Sequence, residues 1–158
     1  MNPLAERLPD SPFATVQLRA VSSTDAPALC ALLQQLGPDE ARADAQIMAL
    51  RLSQLPSNIE VLVAERDGQL LGTCSLHLIE HLAHNFARSA VLEDVVVDAQ
   101  ARGLGIGQAL MAKAIERARH WRCYKVALSS KVSRSQAHAF YAKLGFTLHG
   151  HSLTLPLD

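Results

Sequence analysis

The stretch "VLEDVVVDAQARGLGIGQAL" (residues 91–110) joins an apolar run to three closely spaced glycines, Gly103, Gly105 and Gly107. "VLEDVVV" (residues 91–97) is apolar enough to predict a strand buried on both faces, and a helical pattern follows the glycines. Glycines this close together weaken an ordinary helix start. A bare turn between a strand and a helix exposes backbone N–H groups at the positive end of the helix. The stretch therefore predicts an anion site, most often one for phosphate.

Two common phosphate-binding motifs do not fit these residues. A P-loop needs Gly-Lys-Ser/Thr, whereas Gly107 is followed by Gln108 and Ala109. A dinucleotide fingerprint follows the first strand of its unit, and an acid ends the next strand. Here the glycines follow the fourth predicted strand, and the fifth ends in Ser129 and Ser130. Both motifs are excluded, so the turn serves a different anion or is simply a tight connection.

Composition limits the class of protein. The chain has 158 residues, of which 49% are hydrophobic and 19% charged, and its formal net charge is zero. These values predict one globular domain over residues 14–158, preceded by a flexible arm over residues 1–13. The sequence has no basic block for nucleic acid and no apolar run of roughly 20 residues for a membrane span. Three cysteines without CxxC spacing predict reduced thiols and a cytoplasmic protein.

The predicted elements alternate in the order β-α-α-β-β-β-α-β-α-β-β. Strands are predicted at residues 15–21, 59–65, 69–79, 90–97 and 124–130, and two short ones around "FTLHG" and "SLTLPL" close the chain. Helices are predicted from Ser23 or Thr24 to Leu36, over residues 39–54 and 108–120, and from Arg134 to Lys143. The fourth and fifth strands are joined through a helix and should be parallel. This order predicts an α/β (α+β) fold with a mixed, mostly antiparallel sheet of six to seven strands and about four helices.

Two motifs carry a resemblance to a known family. "VVVDAQARGLGIGQALM" (residues 95–111) resembles the acetyl-CoA-binding signature of the GNAT superfamily of N-acetyltransferases, Gln/Arg-x-x-Gly-x-Gly/Ala. Arg102, Gly105 and Gly107 match it, and a second register, Gln100, Gly103 and Gly105, also fits; the first follows the family better. "AHAFYAKLGF" (residues 137–146) is similar to the family's C-terminal motif. The resemblance covers residues 15–157 and implies a GNAT-like fold with a parallel, splayed pair of fourth and fifth strands.

The resemblance also implies a site for acetyl-CoA as cosubstrate. Backbone amides are expected to wrap the CoA pyrophosphate over Gly103, Leu104, Gly105, Ile106, Gly107 and Gln108, and Arg102 adds at most one charge contact. The pantetheine arm is expected along the backbone of Val95, Val96 and Val97. Where the family often has Asn, this chain has Arg134, which either contacts a CoA phosphate or is a solvated surface charge.

Acetyl transfer to an amine needs a neutral amine and a partner for the departing thiolate. The family motif places a tyrosine at Tyr141, which is the expected acid; the alternative is an aromatic side chain packed beside Phe140. Glu93 and Asp94 precede the valines, and alternation puts Glu93 on one face with Val95 and Val97. Glu93 is the expected base, and the alternative is that either carboxylate only orients substrate. No cysteine lies in either motif, so direct attack is expected rather than a covalent enzyme intermediate.

Three histidines, His77, His81 and His84, have the spacing of one helix face and would hold a divalent metal if that segment were helical. Strand alternation through His77 and the lack of HExxH favour a histidine-rich rim without metal, with His77 near the substrate. "SLHLIEHLAH" is similar to aminoalkylphosphonate acetyltransferases, and "LEDVVV" and "CYKVAL" to glucosamine-6-phosphate acetyltransferases.

The sequence thus predicts an acetyl-CoA-dependent N-acetyltransferase that acts on a primary amine, with a small-molecule acceptor favoured. A protein or peptide acetyltransferase, a non-catalytic CoA-binding module and a nucleotide- or phosphate-binding α/β protein of another family are the alternatives. The expected partners are the amine and a second copy of the chain in a homodimer, with neither nucleic acid nor membrane.

Overall fold

The computed structural model describes residues 16–157, which divide into two compact units. The first unit runs to Ala127 and the second begins at Leu128. The predicted flexible arm, residues 1–13, lies outside the described residues, and the single domain predicted for residues 14–158 stays a prediction. In residues 16–157 no helix has the length and apolar composition needed to cross a membrane.

One mixed sheet contains the strands of residues 16–157. In chain order these are β1 (Gln17–Ala20), β2 (Ile59–Arg66), β3 (Gln69–Glu80), β4 (Arg88–Val97) and β5 (Cys123–Leu128). Their order in the sheet follows the chain, and the first three pairings are antiparallel. The β4–β5 pair is parallel, as the helical connection between the two strands predicts.

The helices of the described residues follow the predicted order. They are α1 (Ala26–Leu33), α2 (Ala45–Ser53), α3 (Ala83–Phe86), α4 (Ile106–His120) and α5 (Ser135–Lys143). The third is an addition to the predicted set: a single turn in which His84, Asn85 and Phe86 have φ of 53°, 57° and 60°. Helix α4 begins two residues before the predicted Gln108, because Gly105 takes the left-handed conformation and forms its N-cap.

The prediction of two closing strands is wrong, and so is the prediction of a six- to seven-stranded sheet. Residues 144–157 contain no strand, and Leu148, Leu153, Leu155 and Leu157 are exposed. Apolar and polar residues do alternate in "FTLHG" and "SLTLPL". Alternation, however, only gives a segment one apolar side. A strand also needs the backbone groups of a neighbouring strand, and Pro156 has no N–H to offer to one.

Polar residues near the N-terminus fix the first helix. Ser22 caps the 3-10 turn that leads into α1, and its own N–H donates to Asp25 Oδ2 at 2.7 Å. Arg19 of β1 makes two hydrogen bonds to the same carboxylate, Nη1 to Oδ2 at 2.7 Å and Nη2 to Oδ1 at 2.8 Å. Its Nε donates to Glu65 of β2 at 2.8 Å. These bonds hold the pKa of Asp25 below its usual range and tie α1 to the sheet edge.

The sheet is covered on both faces in the first unit. One face is covered by α1 and α2, and we call it the helix-pair face. It carries Val63 and Val96, which form a cluster with Leu29 and Leu32 of α1 and with Met48 of α2.

The opposite α4 face carries Gly72 and packs against α4. A Cβ built on Gly72 would lie 2.8 Å from Leu110 Cδ1 and 3.1 Å from Ile106 Cγ2. The absence of a side chain at this position therefore lets α4 lie directly on the sheet.

Candidate active site

The connection from β4 to α4 begins with a hydrogen-bonded turn around Asp98. Asp98 Oδ1 accepts from the N–H of Gln100 at 2.9 Å and caps a short 3-10 turn. The side chain of Gln35 donates to Asp98 Oδ2 and accepts from the N–H of Ala99, both at 2.9 Å. The Gln35 and Gln100 hydrogen bonds lower the pKa of Asp98. Gln35 is a contributor that sequence analysis missed, since nothing local in the sequence indicates a partner so far along the chain.

The glycine turn itself has the conformation that an anion site requires. Gly103 and Gly105 have φ of 76° and 81°, in the left-handed region that favours glycine. A Cβ built at either position would meet nothing within 4 Å, so the outer side of the turn is open. No side chain caps α4 at Gly105. The first amides of α4 are therefore available to an external acceptor, and this donor set fits a pyrophosphate.

Arg102, an exposed residue, connects the turn to β4. Its Nε donates to the backbone carbonyl of Val97 at 3.2 Å, and this bond joins the glycine turn to the end of β4. The N–H of Asp98 donates to Leu71 of β3 at 2.9 Å. Because alternate residues of a strand point their backbone groups to opposite neighbours, the groups of Val97 face away from β3.

Strand β4 carries one residue more than its partner in the middle of the ladder. Thr73 pairs with Val96 and Ser75 with Glu93, so Asp94 and Val95 together lie opposite the single residue between Thr73 and Ser75. Asp94 has φ of 52°. This is a β-bulge with its extra residue in the left-handed region, a conformation that aspartate tolerates better than most residues.

The bulge corrects one prediction about the acids. The prediction that Glu93 shares a face with Val95 and Val97 is wrong, because alternation reverses across an inserted residue. The register puts Glu93 with Val96 on the helix-pair face, whereas Val97 pairs with Gly72 on the α4 face.

Three predicted substrate residues come together on this part of the sheet. Glu93 and Asp94 are exposed, and Ser75 Oγ donates to Asp94 Oδ2 at 3.4 Å. His77 is half-buried and lies two residues beyond Ser75, which makes it a diagonal neighbour of Glu93, about 7–8 Å away in a regular ladder. The side chains of His77 and Glu93 therefore lie on the same face of the sheet.

The comparisons with known proteins agree with this geometry. The sequence model of the acetyltransferase (GNAT) family matches residues 27–146. The chain belongs to this acetyltransferase family. It is 34% identical over 119 residues to glucosamine 6-phosphate N-acetyltransferase 1 of Oryza sativa subsp. japonica, covering 73% of this chain and 70% of the relative. It is 31% identical over 130 residues to the aminoalkylphosphonate N-acetyltransferase of Salmonella typhimurium, covering 82% and 84%.

Solved structures of acetyltransferases share the fold. A Trypanosoma brucei acetyltransferase matches with a TM-score of 0.77 and 29% identity, covering 90% of this chain and 99% of the other. The protein is therefore an N-acetyltransferase of the GNAT family.

The second unit contains the acetyltransferase residues predicted on the C-terminal motif. Tyr141 lies on α5, half-buried, with ring centroids 5.3 Å from Phe140 and 5.9 Å from Phe146. Gly145 ends the helix with φ of 90°, and the N–H of Phe146 donates to the Tyr141 carbonyl at 3.1 Å. The ring contacts suit both predicted roles of Tyr141, acid and packing. Arg134 is exposed at the N-cap of α5, and its side chain makes no cap bond.

Ser130 is a further residue of the second unit that sequence analysis did not single out. Its Oγ is buried without a hydrogen-bond partner in residues 16–157. Buried hydroxyls normally have a partner, so this group is free to bond a ligand. Its sequence signal is its place at the end of the predicted fifth strand, two residues beyond the end of β5 in the structure.

The three histidines do not form the helical face that metal binding would need. His77 lies within β3, and His84 lies beyond the strand with φ of 53°. His81 Nε2 is 2.7 Å from Ser89 Oγ. Across the described part of the chain, no group of three His, Cys, Asp or Glu side chains is arranged to hold a metal ion.

Proposed function

We propose that this acetyltransferase moves an acetyl group from acetyl-CoA to the primary amine of a small molecule. The observation that carries the proposal is the open glycine turn at the N-terminus of α4, directly after a bulged β4. Support for a small acceptor comes from the two curated relatives, whose names give a sugar phosphate amine and aminoalkylphosphonates as their substrates.

The cosubstrate is proposed to bind through backbone groups. The amides from Gly103 to Gln108 would hold the pyrophosphate, with the positive end of α4 behind them. The backbone of Val95, Val96 and Val97 would hold the pantetheine arm, and Val97 has groups that face away from β3. Arg134 would contact a CoA phosphate, since its side chain is exposed.

Glu93 is proposed as the base. It would take the proton from the incoming ammonium group, directly or through a water molecule, so that the nitrogen can attack. As the new C–N bond forms, the thioester C–S bond breaks and the sulfur leaves as a thiolate. Asp94 and His77 would orient the acceptor, because His77 lines the same side of the sheet as Glu93.

Tyr141 is proposed to donate the hydroxyl proton to the departing sulfur. This role rests on the family's C-terminal motif, "AHAFYAKLGF", which places a tyrosine at this position. The acylated nitrogen would give its second proton to the tyrosinate, directly or through water, and Glu93 would release the first proton to solvent, which closes the cycle.

Direct transfer, without an acetyl-cysteine, is supported by the state of the thiols. Burial raises the pKa of Cys74 to about 12 and also raises the pKa of Cys123. A thiol with a raised pKa is a poor nucleophile because the thiolate is the attacking species. Cys30 is buried as well. These unpaired thiols also suit the reducing, cytoplasmic location proposed for the chain.

The test is a turnover screen with acetyl-CoA across small amines, aminophosphonates, sugar amines and peptides, with and without divalent metal. Turnover of a small amine at a higher kcat/KM than any peptide is expected. Preference for a peptide would favour a protein acetyltransferase instead.

A binding measurement separates the remaining alternatives. CoA should raise the melting temperature far more than ATP or NAD, because ligand binding stabilises the folded state by mass action. CoA binding without turnover of any amine would indicate a non-catalytic CoA-binding module, and stronger protection by ATP or NAD would indicate another class of phosphate-binding protein.

A further inference from the structure

The connection from β4 to α4 has two groups of backbone N–H donors. In its first four residues, 98–101, each N–H has an acceptor within the protein. Those of Asp98 and Ala101 donate to backbone carbonyls, and that of Gln100 donates to the Asp98 carboxylate, each at 2.9 Å. Further along, no side chain in the described part of the chain caps the start of α4, so the first amides of that helix face an external acceptor. The boundary between the two groups therefore decides which amides are left for an anion.

The N–H of Ala99, the remaining donor of the first group, is bonded by a residue from a distant part of the chain. It donates to Gln35 Oε1 at 2.9 Å, and Gln35 Nε2 donates to Asp98 Oδ2 at the same distance. One orientation of the side-chain amide satisfies both partners, because one is a donor and the other an acceptor. A carboxylate or an ammonium group at position 35 could make only one of these two bonds.

Packing in the core brings Gln35 to this place. It lies in the 3-10 turn Gln34–Leu36, which follows α1. Leu33 and Leu36 on either side of it pack against the cluster on the helix-pair face, and that cluster also contains Val96 of β4. The same part of the core therefore carries both ends of the contact, so its bonds form with little further ordering of the backbone.

The same bonds bear on the two registers of the glycine signature, which begin at Arg102 and at Gln100. The second register lies two residues earlier, so its donors would have to include the N–H of Ala101. That N–H already donates to the carbonyl of Asp98, and Gln35 holds the side chain of Asp98. The arrangement therefore favours the register that begins at Arg102.

We propose that Gln35 is a positioning residue of the cosubstrate site. It occupies the N–H of Ala99 and holds the carboxylate of Asp98. The turn is therefore already shaped when the pyrophosphate reaches the amides from Gly103 to Gln108. The inference rests on the proposed function, which assigns those amides to CoA. It adds a residue from the turn after α1 that acts on the phosphates of the acyl donor and has no role at the thioester.

The experiment measures kcat/KM of Gln35→Ala with two acyl donors. One is acetyl-CoA, and the other is S-acetylpantetheine, which carries the same thioester but lacks the phosphates. With acetyl-CoA, kcat/KM should fall about tenfold, the value of roughly one hydrogen bond, and the change should lie in KM. With S-acetylpantetheine it should not change, because this donor has no group for the turn to bind. Gln34→Ala, which truncates the neighbouring exposed glutamine, is the matched control and should change neither value.

A double variant tests whether the hydrogen bonds themselves matter. Gln35→Glu alone sets two carboxylates against each other, and Asp98→Asn alone leaves one donor facing another, so each should weaken CoA binding. Gln35→Glu combined with Asp98→Asn restores every bond: the carboxylate at position 35 accepts from the N–H of Ala99 and from the amide at position 98, whose oxygen still accepts from Gln100. Net charge is unchanged, and CoA affinity should return to within about twofold of the wild type.

Equal losses with both acyl donors in Gln35→Ala, or a double variant that binds CoA no better than the single ones, would overturn the inference, because Gln35 would then only stabilise the fold. No acetyl transfer to any amine would contradict the proposed function, and calorimetry with CoA then decides the inference separately. Weaker CoA binding in Gln35→Ala, restored in the double variant, would support it, and equal binding would overturn it. A wild-type protein that does not bind CoA would overturn both.

Discussion

Individual glycines decide the chemistry of the turn before α4. Gly103 and Gly105 are required by their positive φ, whereas Gly107 lies inside α4, where any residue adopts the backbone conformation. A side chain at Gly105 would therefore change the fold of the turn as well as its surface. Gly107 is the position where bulk can be added without backbone strain.

Gly107→Val should weaken acetyl-CoA binding by about 100-fold or more, because a displaced pyrophosphate loses charge-assisted hydrogen bonds of about 1.5–3 kcal/mol each. Calorimetry on the folded variant measures the change. Ala112→Val, at an exposed position of the same helix, is the matched control for the helix propensity of valine. Unchanged affinity in Gly107→Val would remove the phosphate role from the turn.

Tyr141→Phe separates the two predicted roles of this residue. The substitution keeps the ring contacts with Phe140 and Phe146 and removes only the hydroxyl. If the hydroxyl protonates the thiolate, kcat should fall by roughly 10²- to 10⁴-fold, with a much smaller change in KM for acetyl-CoA. Full kcat from acid to alkaline pH would leave Tyr141 with packing alone.

Strand β4 shows how one element combines predictable and unpredictable features. Its apolar pattern and its place before the glycines were evident from residues 91–110. The bulge was not, because an aspartate in the left-handed region looks in sequence like any other strand residue. The bulge follows from the pairing register of β4 with β3. That register depends on a partner strand whose pairing residues lie about twenty positions away in the sequence.

Asp94→Val should destabilise the protein by about 1–2 kcal/mol, since a β-branched side chain tolerates positive φ poorly. Asp94→Gly should keep stability within a few tenths of that of the wild type, because glycine adopts this conformation freely. Chemical denaturation measures both. Equal stabilities of the two variants would mean that the bulge relaxes when its residue is changed.

The hydrogen bonds from Arg19 to Asp25, just before α1, make the stability of the protein depend on pH. Asp25 has a lowered pKa in the folded state, so its contribution is full above its unfolded pKa of about 3.9 and is lost as the pH falls through the lower folded value. Asp25→Asn should therefore cost about 1 kcal/mol at neutral pH and progressively less below about pH 4. Thermal melts against pH measure this difference. The exposed Asp39→Asn is the control, and a pH-independent loss in Asp25→Asn would show that the hydrogen bonds, not the charge, matter.

At the scale of the whole molecule, the order of elements and the family were available from two motifs and the hydrophobic periodicity. Contacts between distant segments were not, and Gln35, which bonds to Asp98, is the clearest case. The prediction of two closing strands is wrong for the same reason: an alternating pattern does not reveal whether a neighbouring strand is present to pair with.

A homodimer is the remaining prediction at this scale. Leu148, Leu153, Leu155 and Leu157 are exposed, and we propose that they are the apolar side chains that a second copy of the chain covers. Light scattering at micromolar concentration should give twice the mass of the 158-residue chain. Leu153→Ser combined with Leu155→Ser should shift the mass towards the monomer, and a monomeric wild-type protein would contradict the prediction.

Gly72 has a thermodynamic consequence for ligand binding. Because it lets Ile106 and Leu110 reach the sheet, and both are essentially buried, the first turn of α4 is anchored to the core. The amides of that turn are therefore ordered before any ligand arrives. Binding then loses little conformational entropy, so the heat released by the new hydrogen bonds is retained as affinity instead of being offset by ordering of the chain.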